Sequence, residues 1–84
     1  MAYEILIKPS AQRDLDSLPE GEVERIALRL ALLTDDPRPF GVQKLSGASG
    51  YRIRIGDYRV LYEIHDKRHL VSVYRIKHRR EAYR

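Results

Sequence analysis

The chain contains no cysteine, and this absence excludes two kinds of structural support. It has neither disulfides nor thiolate ligands for a structural metal, so its 84 residues must fold by packing alone or with a partner. A chain of this length supports one domain with a modest core. We therefore expect a single domain over residues 1–84, in a reducing compartment.

Long apolar runs are also missing from the sequence. No stretch approaches the roughly 20 apolar residues that a membrane helix needs. The opening residues, Met1 to Glu4, have neither the basic start nor the apolar segment of a signal peptide. We expect a soluble, cytoplasmic protein without a membrane partner.

Positive charge is scarce in the first part of the chain and concentrated in the last. Residues 1–50 contain 6 Lys and Arg against 8 Asp and Glu, whereas residues 51–84 contain 10 against 4. The net charge thus changes from −2 to +6 along the chain. Charge polarised in this way attracts polyanions such as nucleic acids.

The hydrophobic pattern predicts four strands and two helices. Alternation indicates strands, while apolar residues three and four positions apart indicate helices, of which Ser10 is expected to cap the first. The predicted order is a strand over 3–8, helices over 11–18 and 19–34, and strands over 51–55, 58–64 and 69–76. This β-α-α-β-β-β order predicts an α+β domain, in which the N-terminal strand and a helical hairpin pack on an antiparallel meander. The first strand is expected beside either the second or the last strand.

The segment YRIRIGDYRVLYEI, residues 51–64, is a predicted hairpin with its turn at Gly56-Asp57. Its tyrosines, isoleucines and valine alternate with Arg52 and Arg54 on one strand and with Arg59 on the other. If the apolar set faces the helices, the three arginines share the opposite face. They form either a solvated sheet surface or a site for phosphate.

The last predicted strand has both apolar and polar residues on each face, so the alternation does not show which face is buried. The strand leads into a basic tail that can end beside the hairpin arginines. The tail's candidate site residues are Lys77, His78, Arg79 and Tyr83.

The residue types present favour one chemistry over several others. The chain lacks the paired carboxylates of a glycosidase, a glycine-rich phosphate loop and a His/Asp cluster with metal-ligand spacing, so no metal or other cofactor is implied. Arginines placed around a phosphate suit metal-free RNA cleavage, in which the ribose 2′-OH attacks the adjacent phosphorus. Arginine is a poor base, which leaves His78 or Tyr83 for proton transfer.

The segments GYRIRIGDYRVLYEI and VYRIKHRREAY, with the opening AYEILIKPSAQRDLDSLP, resemble the RelE/ParE toxin superfamily, and within it the RelE-like mRNA interferases. The resemblance covers essentially the whole chain. It implies the toxin of a type II toxin–antitoxin system, a metal-independent endoribonuclease that cuts mRNA in the ribosomal A site. It also implies a RelB-like antitoxin as partner, in a toxin–antitoxin hetero-oligomer.

The resemblance assigns catalytic positions to residues of this chain. The basic positions of the hairpin match Arg52, Arg54 and Arg59, the next basic position matches Lys77 or Arg79, and the aromatic one matches Tyr83. Many relatives have lysine at positions 52 and 54, which favours His78 over residue 54 as the base here. Two alternatives stay open, namely a ParE-like inhibitor of DNA gyrase without catalysis and a degenerate toxin that acts only as a binding module.

Overall fold

The computed structural model describes residues 2–45 and 50–80. Its elements are β1 (Glu4–Ile7), α1 (Pro9–Asp16), α2 (Glu20–Leu32), β2 (Gln43–Lys44), β3 (Gly50–Ile55), β4 (Tyr58–His65) and β5 (Leu70–His78). They form one five-stranded sheet in the order β1-β5-β4-β3-β2. Within the described residues, neither helix has the length and apolar character needed to cross a membrane.

The predicted α+β fold and its element order are confirmed. β1 lies beside β5 and runs parallel to it, with Ile5 opposite Val71, which decides between the two neighbours left open by the sequence. β3, β4 and β5 form the expected antiparallel meander. β2, in a segment predicted as loop, adds a two-residue strand to the free edge of β3.

The core lies between the helices and one face of the sheet. Ile26, Leu30 and Leu33 of the α2 segment, spaced four and three apart, are buried against this face. The sheet contributes Tyr51, Ile53, Ile55, Val60, Tyr62, Ile64, Val71, Val73 and Ile76. The tyrosines, valine and isoleucines of the hairpin thus point inward as their alternation predicts, and we call the opposite side of the sheet the outer face.

A β-bulge explains why the last strand showed mixed faces. Tyr62 of β4 pairs with Val73 and the preceding Leu61 pairs with Arg75, so Tyr74 is an extra residue without a partner in β4. A bulge of one residue reverses the alternation beyond it. Val71 and Val73 therefore face the core before the bulge, Ile76 faces it afterwards, and Lys77 lies on the outer face.

Polar groups of α1 cover the edge of β5 where β1 has ended. The Ser10 hydroxyl donates to the Tyr74 carbonyl at 2.6 Å, so Ser10 does not cap α1, which begins at Pro9 without a side-chain cap. Asp14 Oδ2 accepts two hydrogen bonds, from the Ile76 backbone N–H at 2.8 Å and from Arg75 Nε at 3.0 Å. Two side chains of α1 thus satisfy backbone groups that a longer β1 would have paired.

A second polar cluster holds the loop after α2. The Arg38 guanidinium donates to both oxygens of Asp66, at 3.1 and 2.8 Å, and its Nε donates to the Tyr51 hydroxyl at 3.1 Å. Tyr3 donates its hydroxyl to Asp66 Oδ1 at 2.7 Å. These hydrogen bonds, first from Arg38 and then from Tyr3, lower the pKa of Asp66 to about 2. The carboxylate therefore stays ionised, and the loop stays attached to the sheet, through mildly acidic pH.

We predict that Asp14→Ala lowers the free energy of unfolding by about 2 kcal/mol, because it leaves the Ile76 N–H and the Arg75 guanidinium without their acceptor. Urea denaturation measures the change. Asp16→Ala is the matched control, since this exposed carboxylate accepts one hydrogen bond within the described residues, from Gln12 one turn earlier, and should matter by less than about 0.5 kcal/mol. Equal losses in the two variants would contradict the role given to Asp14.

Candidate functional site

Three cationic side chains lie in a row across the outer face. Arg54 of β3 stands directly opposite Arg59 of β4, and Arg59 stands directly opposite Lys77 of β5. Directly paired residues of an antiparallel ladder project from the same face, with Cβ atoms about 5 Å apart. The register of the meander therefore brings together three positive charges that are separated by up to 23 residues in the chain.

The arginines line a cavity of about 330 Å³, which we call the arginine cavity. Its lining residues are Gly41, Gln43, Arg52, Arg54 and Arg59. Gln43 stands opposite Arg52 in the sheet, and its side-chain oxygen accepts a hydrogen bond from Arg52 Nη2. Arg54 Nε donates to the Gly56 carbonyl at 3.2 Å, within the hairpin turn. Both guanidinium groups are thus directed by hydrogen bonds to nearby acceptors.

Arg59 is the most enclosed of the three arginines, with 8% of its surface exposed. It occupies the middle of the row, between Arg54 and Lys77, whereas Arg54 is exposed. A side chain held in this way has little conformational freedom to lose when an anion binds. Of the three arginines, Arg59 should therefore bind an anion with the smallest loss of conformational entropy.

The composition of the arginine cavity determines what it can bind. Among its described lining residues there are three guanidinium groups, one amide and one glycine, and none is acidic. Guanidinium groups bind phosphate oxygens through paired N–H donors. The arrangement is suited to an anion with several oxygens, and to stabilising additional negative charge on that anion during a reaction.

His78, expected to join this site, lies on the core side of the sheet. It stands opposite Tyr58, a residue packed against the core, and the two rings meet edge to face with centroids 5.3 Å apart. The bulge at Tyr74 is the reason, because it moves Lys77 to the outer face and His78 away from it. In addition, the Nδ1 atom of His78 accepts the backbone N–H of Arg80 at 3.2 Å.

The remaining two predicted site residues belong to the tail. The Arg79 backbone N–H donates to the Asp57 carbonyl at 2.7 Å, which holds the start of the tail against the hairpin turn, and the Arg79 side chain is exposed. Tyr83 lies outside the described residues. The structure thus groups Arg52, Arg54 and Arg59 in one cavity, with Lys77 beside Arg59 and Arg79 near the turn.

Gly41 and Gln43 are cavity residues that the sequence analysis did not identify. They belong to a segment read as loop, and a strand of two residues is too short to produce a recognisable alternation. In the sequence, their nearness to the arginine-bearing hairpin was the one feature that could have indicated a role at the site. Their position beside Arg52 depends on pairing between β2 and β3.

Comparison with known proteins gives consistent matches over nearly the whole chain. The family model described as ParE toxin of type II toxin–antitoxin system, parDE, matches residues 5–83. The toxin RelE of Mycobacterium tuberculosis is 33% identical over 85 aligned positions, which cover 98% of this chain and 87% of that protein. The putative toxin RelE1 of Methanocaldococcus jannaschii is 27% identical, with coverage of 100% and 98%.

Solved structures show the same fold. The archaeal RelE–RelB complex from Pyrococcus horikoshii matches with a TM-score of 0.84 and 33% identity, over 94% of this chain and 97% of that one. The intact Escherichia coli RelBE toxin–antitoxin complex matches with a TM-score of 0.82 over 92% and 96%, and its 20% identity supports the fold alone. The chain therefore belongs to the RelE/ParE family of toxins of type II toxin–antitoxin systems.

Proposed function

We propose that this toxin is a ribosome-dependent endoribonuclease that cleaves mRNA in the A site without a metal. The observation that carries the proposal is the arginine cavity, in which Arg52, Arg54 and Arg59 converge. Convergent guanidinium groups stabilise the phosphorane-like transition state more than the ground state, because negative charge accumulates on the phosphoryl oxygens during attack.

The proposed reaction is an internal transfer within the RNA. The 2′-oxygen forms a bond to the adjacent phosphorus, the bond from phosphorus to the 5′-oxygen breaks, and the products are a 2′,3′-cyclic phosphate and a 5′-OH. The proton of the 2′-OH leaves to water, and the leaving 5′-oxygen receives a proton from the Lys77 ammonium. We assign Arg59 to the phosphoryl oxygens, the Lys77 ammonium beside it to the leaving 5′-oxygen, and Tyr83 to the attacked backbone.

His78 is not part of this proposed mechanism. Its ring packs against Tyr58 on the core side, and its Nδ1 lone pair already accepts a hydrogen bond. Without a histidine at the cavity, catalysis depends mainly on positioning and charge, which supports the need for the ribosome to hold the mRNA in a reactive conformation.

Inhibition of DNA gyrase is the second candidate function, and the ParE description of the matching family favours it. A protein that only binds gyrase has no need for arginines converging on one cavity. The gyrase hypothesis therefore leaves Arg52, Arg54 and Arg59 without a shared purpose, whereas RNA cleavage uses all three. Measuring DNA supercoiling and translation together after induction separates the two functions, and a degenerate toxin would alter neither.

We further propose a RelB-like antitoxin as partner, as in the RelE–RelB complex of Pyrococcus horikoshii. An apolar groove of about 350 Å³ runs between the helices and β1. Its lining residues are Ile5, Ile7, Leu15, Val23, Ile26, Ala27, Leu30 and Ala31. Leu28 and Leu32 of α2 are also exposed. A segment with apolar and acidic residues would fill the groove and mask the basic outer face as it folds on binding.

We predict that Arg54→Ala and Arg59→Ala each reduce mRNA cleavage in a reconstituted translation system by about 100- to 1000-fold, as expected for the loss of one oxyanion donor. Primer extension on ribosome-bound mRNA measures the cuts. Arg54 is exposed, so its variant tests the cavity even if removal of the enclosed Arg59 affects folding.

Arg29→Ala is the matched control for both variants, because it removes an exposed arginine from α2 on the other side of the molecule. It should cleave at the wild-type rate. Full cleavage by a folded Arg54→Ala variant, or no cleavage by the wild type on programmed ribosomes, would contradict the proposed nuclease.

We predict that Ala27→Glu weakens antitoxin binding at least about tenfold while mRNA cleavage is retained, because a carboxylate in the apolar groove has no partner. The test is copurification of the toxin with the small protein encoded beside it, followed by titration calorimetry. Gln12→Glu adds the same charge at an exposed position on α1 and should bind normally. Unchanged binding by Ala27→Glu would exclude the groove as the antitoxin site.

A further inference from the structure

Phe40 is a fully exposed aromatic residue that the mechanism above does not use. Single exposed apolar residues are common on protein surfaces and need no explanation by themselves. Phe40 differs from most exposed apolar residues in two respects. It lies in a β-turn that is held in place on both sides, and it adjoins a residue of the arginine cavity.

The mounting is a type II β-turn over Pro39, Phe40, Gly41 and Val42. The Val42 N–H donates to the Pro39 carbonyl at 3.1 Å, which closes the turn. Gly41 has a φ of +93°, and this conformation at the third position of a type II turn requires glycine. Phe40 therefore stands at the second position of the turn, where its side chain projects from the corner.

The turn itself is fixed on both sides. Arg38, the residue before it, is bound to Asp66 and Tyr51, and its guanidinium lies 5.3 Å from the centre of the Tyr51 ring. Val42, the last residue of the turn, packs against the core. Because the turn is already fixed, stacking on the exposed ring restricts only the two side-chain torsions of Phe40 and costs no ordering of the loop.

Phe40 directly precedes, in the chain, a residue that lines the arginine cavity. Gly41, one residue and 3.8 Å of backbone beyond Phe40, lines the cavity together with Arg52 and Arg54. Gln43, two residues further on, holds Arg52 by a hydrogen bond. One short segment thus presents an aromatic ring and completes the wall of a cationic cavity.

We propose that Phe40 is a stacking platform for a nucleobase of single-stranded RNA whose backbone phosphate occupies the arginine cavity. This inference rests on the proposed function and extends it to a residue that selects and positions the substrate. Phosphate binding and base stacking side by side are the two elements of single-stranded nucleic-acid recognition.

A nucleobase suits the surroundings of Phe40 better than an apolar side chain of a protein partner does. Two of the exposed leucines, Leu28 and Leu32, lie on α2. Phe40 instead adjoins Gly41, which lines the cavity together with three arginines. A ligand that covers both Phe40 and the cavity must carry a flat apolar surface and negative charge in neighbouring groups. RNA supplies both in every nucleotide.

The test uses Phe40→Trp, which introduces the only tryptophan of the chain. Its fluorescence is titrated with a 2′-O-methyl RNA hexanucleotide, a probe that lacks the attacking hydroxyl and is not cut. Stacking should quench the indole at position 40 saturably. A series of hexanucleotides with one abasic position each should include one that still binds, about tenfold more weakly, and no longer quenches. Leu28→Trp is the control indole and should not respond.

Cleavage on programmed ribosomes provides a second readout. Phe40→Ala and Phe40→Leu should each cut about tenfold more slowly at subsaturating toxin, and Phe40→Tyr should cut normally, because only the aromatic face is needed. The proposal is overturned if the hexanucleotide binds without quenching and Phe40→Ala cuts at the wild-type rate, an outcome that leaves the nuclease function intact.

Two other outcomes separate the inference from the proposed function. Quenching by the hexanucleotide with no mRNA cleavage by the wild type would support the Phe40 platform and reject the nuclease. Quenching by the copurified antitoxin but not by RNA, with normal cleavage by Phe40→Ala, would make Phe40 a protein contact and overturn the inference.

Discussion

The register between β3 and β4 determines where the positive charges of the sheet lie. It places Arg54 directly opposite Arg59, although like charges in directly opposed positions destabilise a sheet. The pairing holds because the other face of the same hairpin buries Ile53 and Val60 in the core. A slip of one residue would expose that apolar set and bury the arginines. The hydrophobic core thus enforces a charge arrangement that the strands alone would avoid.

β5 extends the same arrangement by means of its bulge. The extra residue, Tyr74, reverses the alternation, so that Lys77 continues the cationic row and His78 faces the core side. Asp14 of α1 secures the strand just beyond the bulge through the Ile76 N–H. α1 thus helps to position the outer face, because Asp14 holds the segment of β5 that carries Lys77.

The sequence was sufficient to predict the strands of the hairpin, the buried stripe of α2 and the common face of Arg52, Arg54 and Arg59, because each follows from a simple periodicity. It was insufficient wherever position depends on pairing between distant segments. The bulge at Tyr74 breaks the alternation of β5 without a glycine or proline to mark it, so the face on which His78 lies could not be predicted. Gln43 reaches the cavity only through its pairing with Arg52.

We propose that the guanidinium groups of Arg52, Arg54 and Arg59 act together on one phosphate. The direct test is an NMR titration of the arginine Nε–H resonances with a 2′-O-methyl RNA dinucleotide, which carries a single internal phosphate. We expect the signals of Arg52, Arg54 and Arg59 to shift together along one saturation curve while that of Arg29 stays constant. Shifts that follow separate curves, or that spread equally over all arginines of the protein, would contradict it.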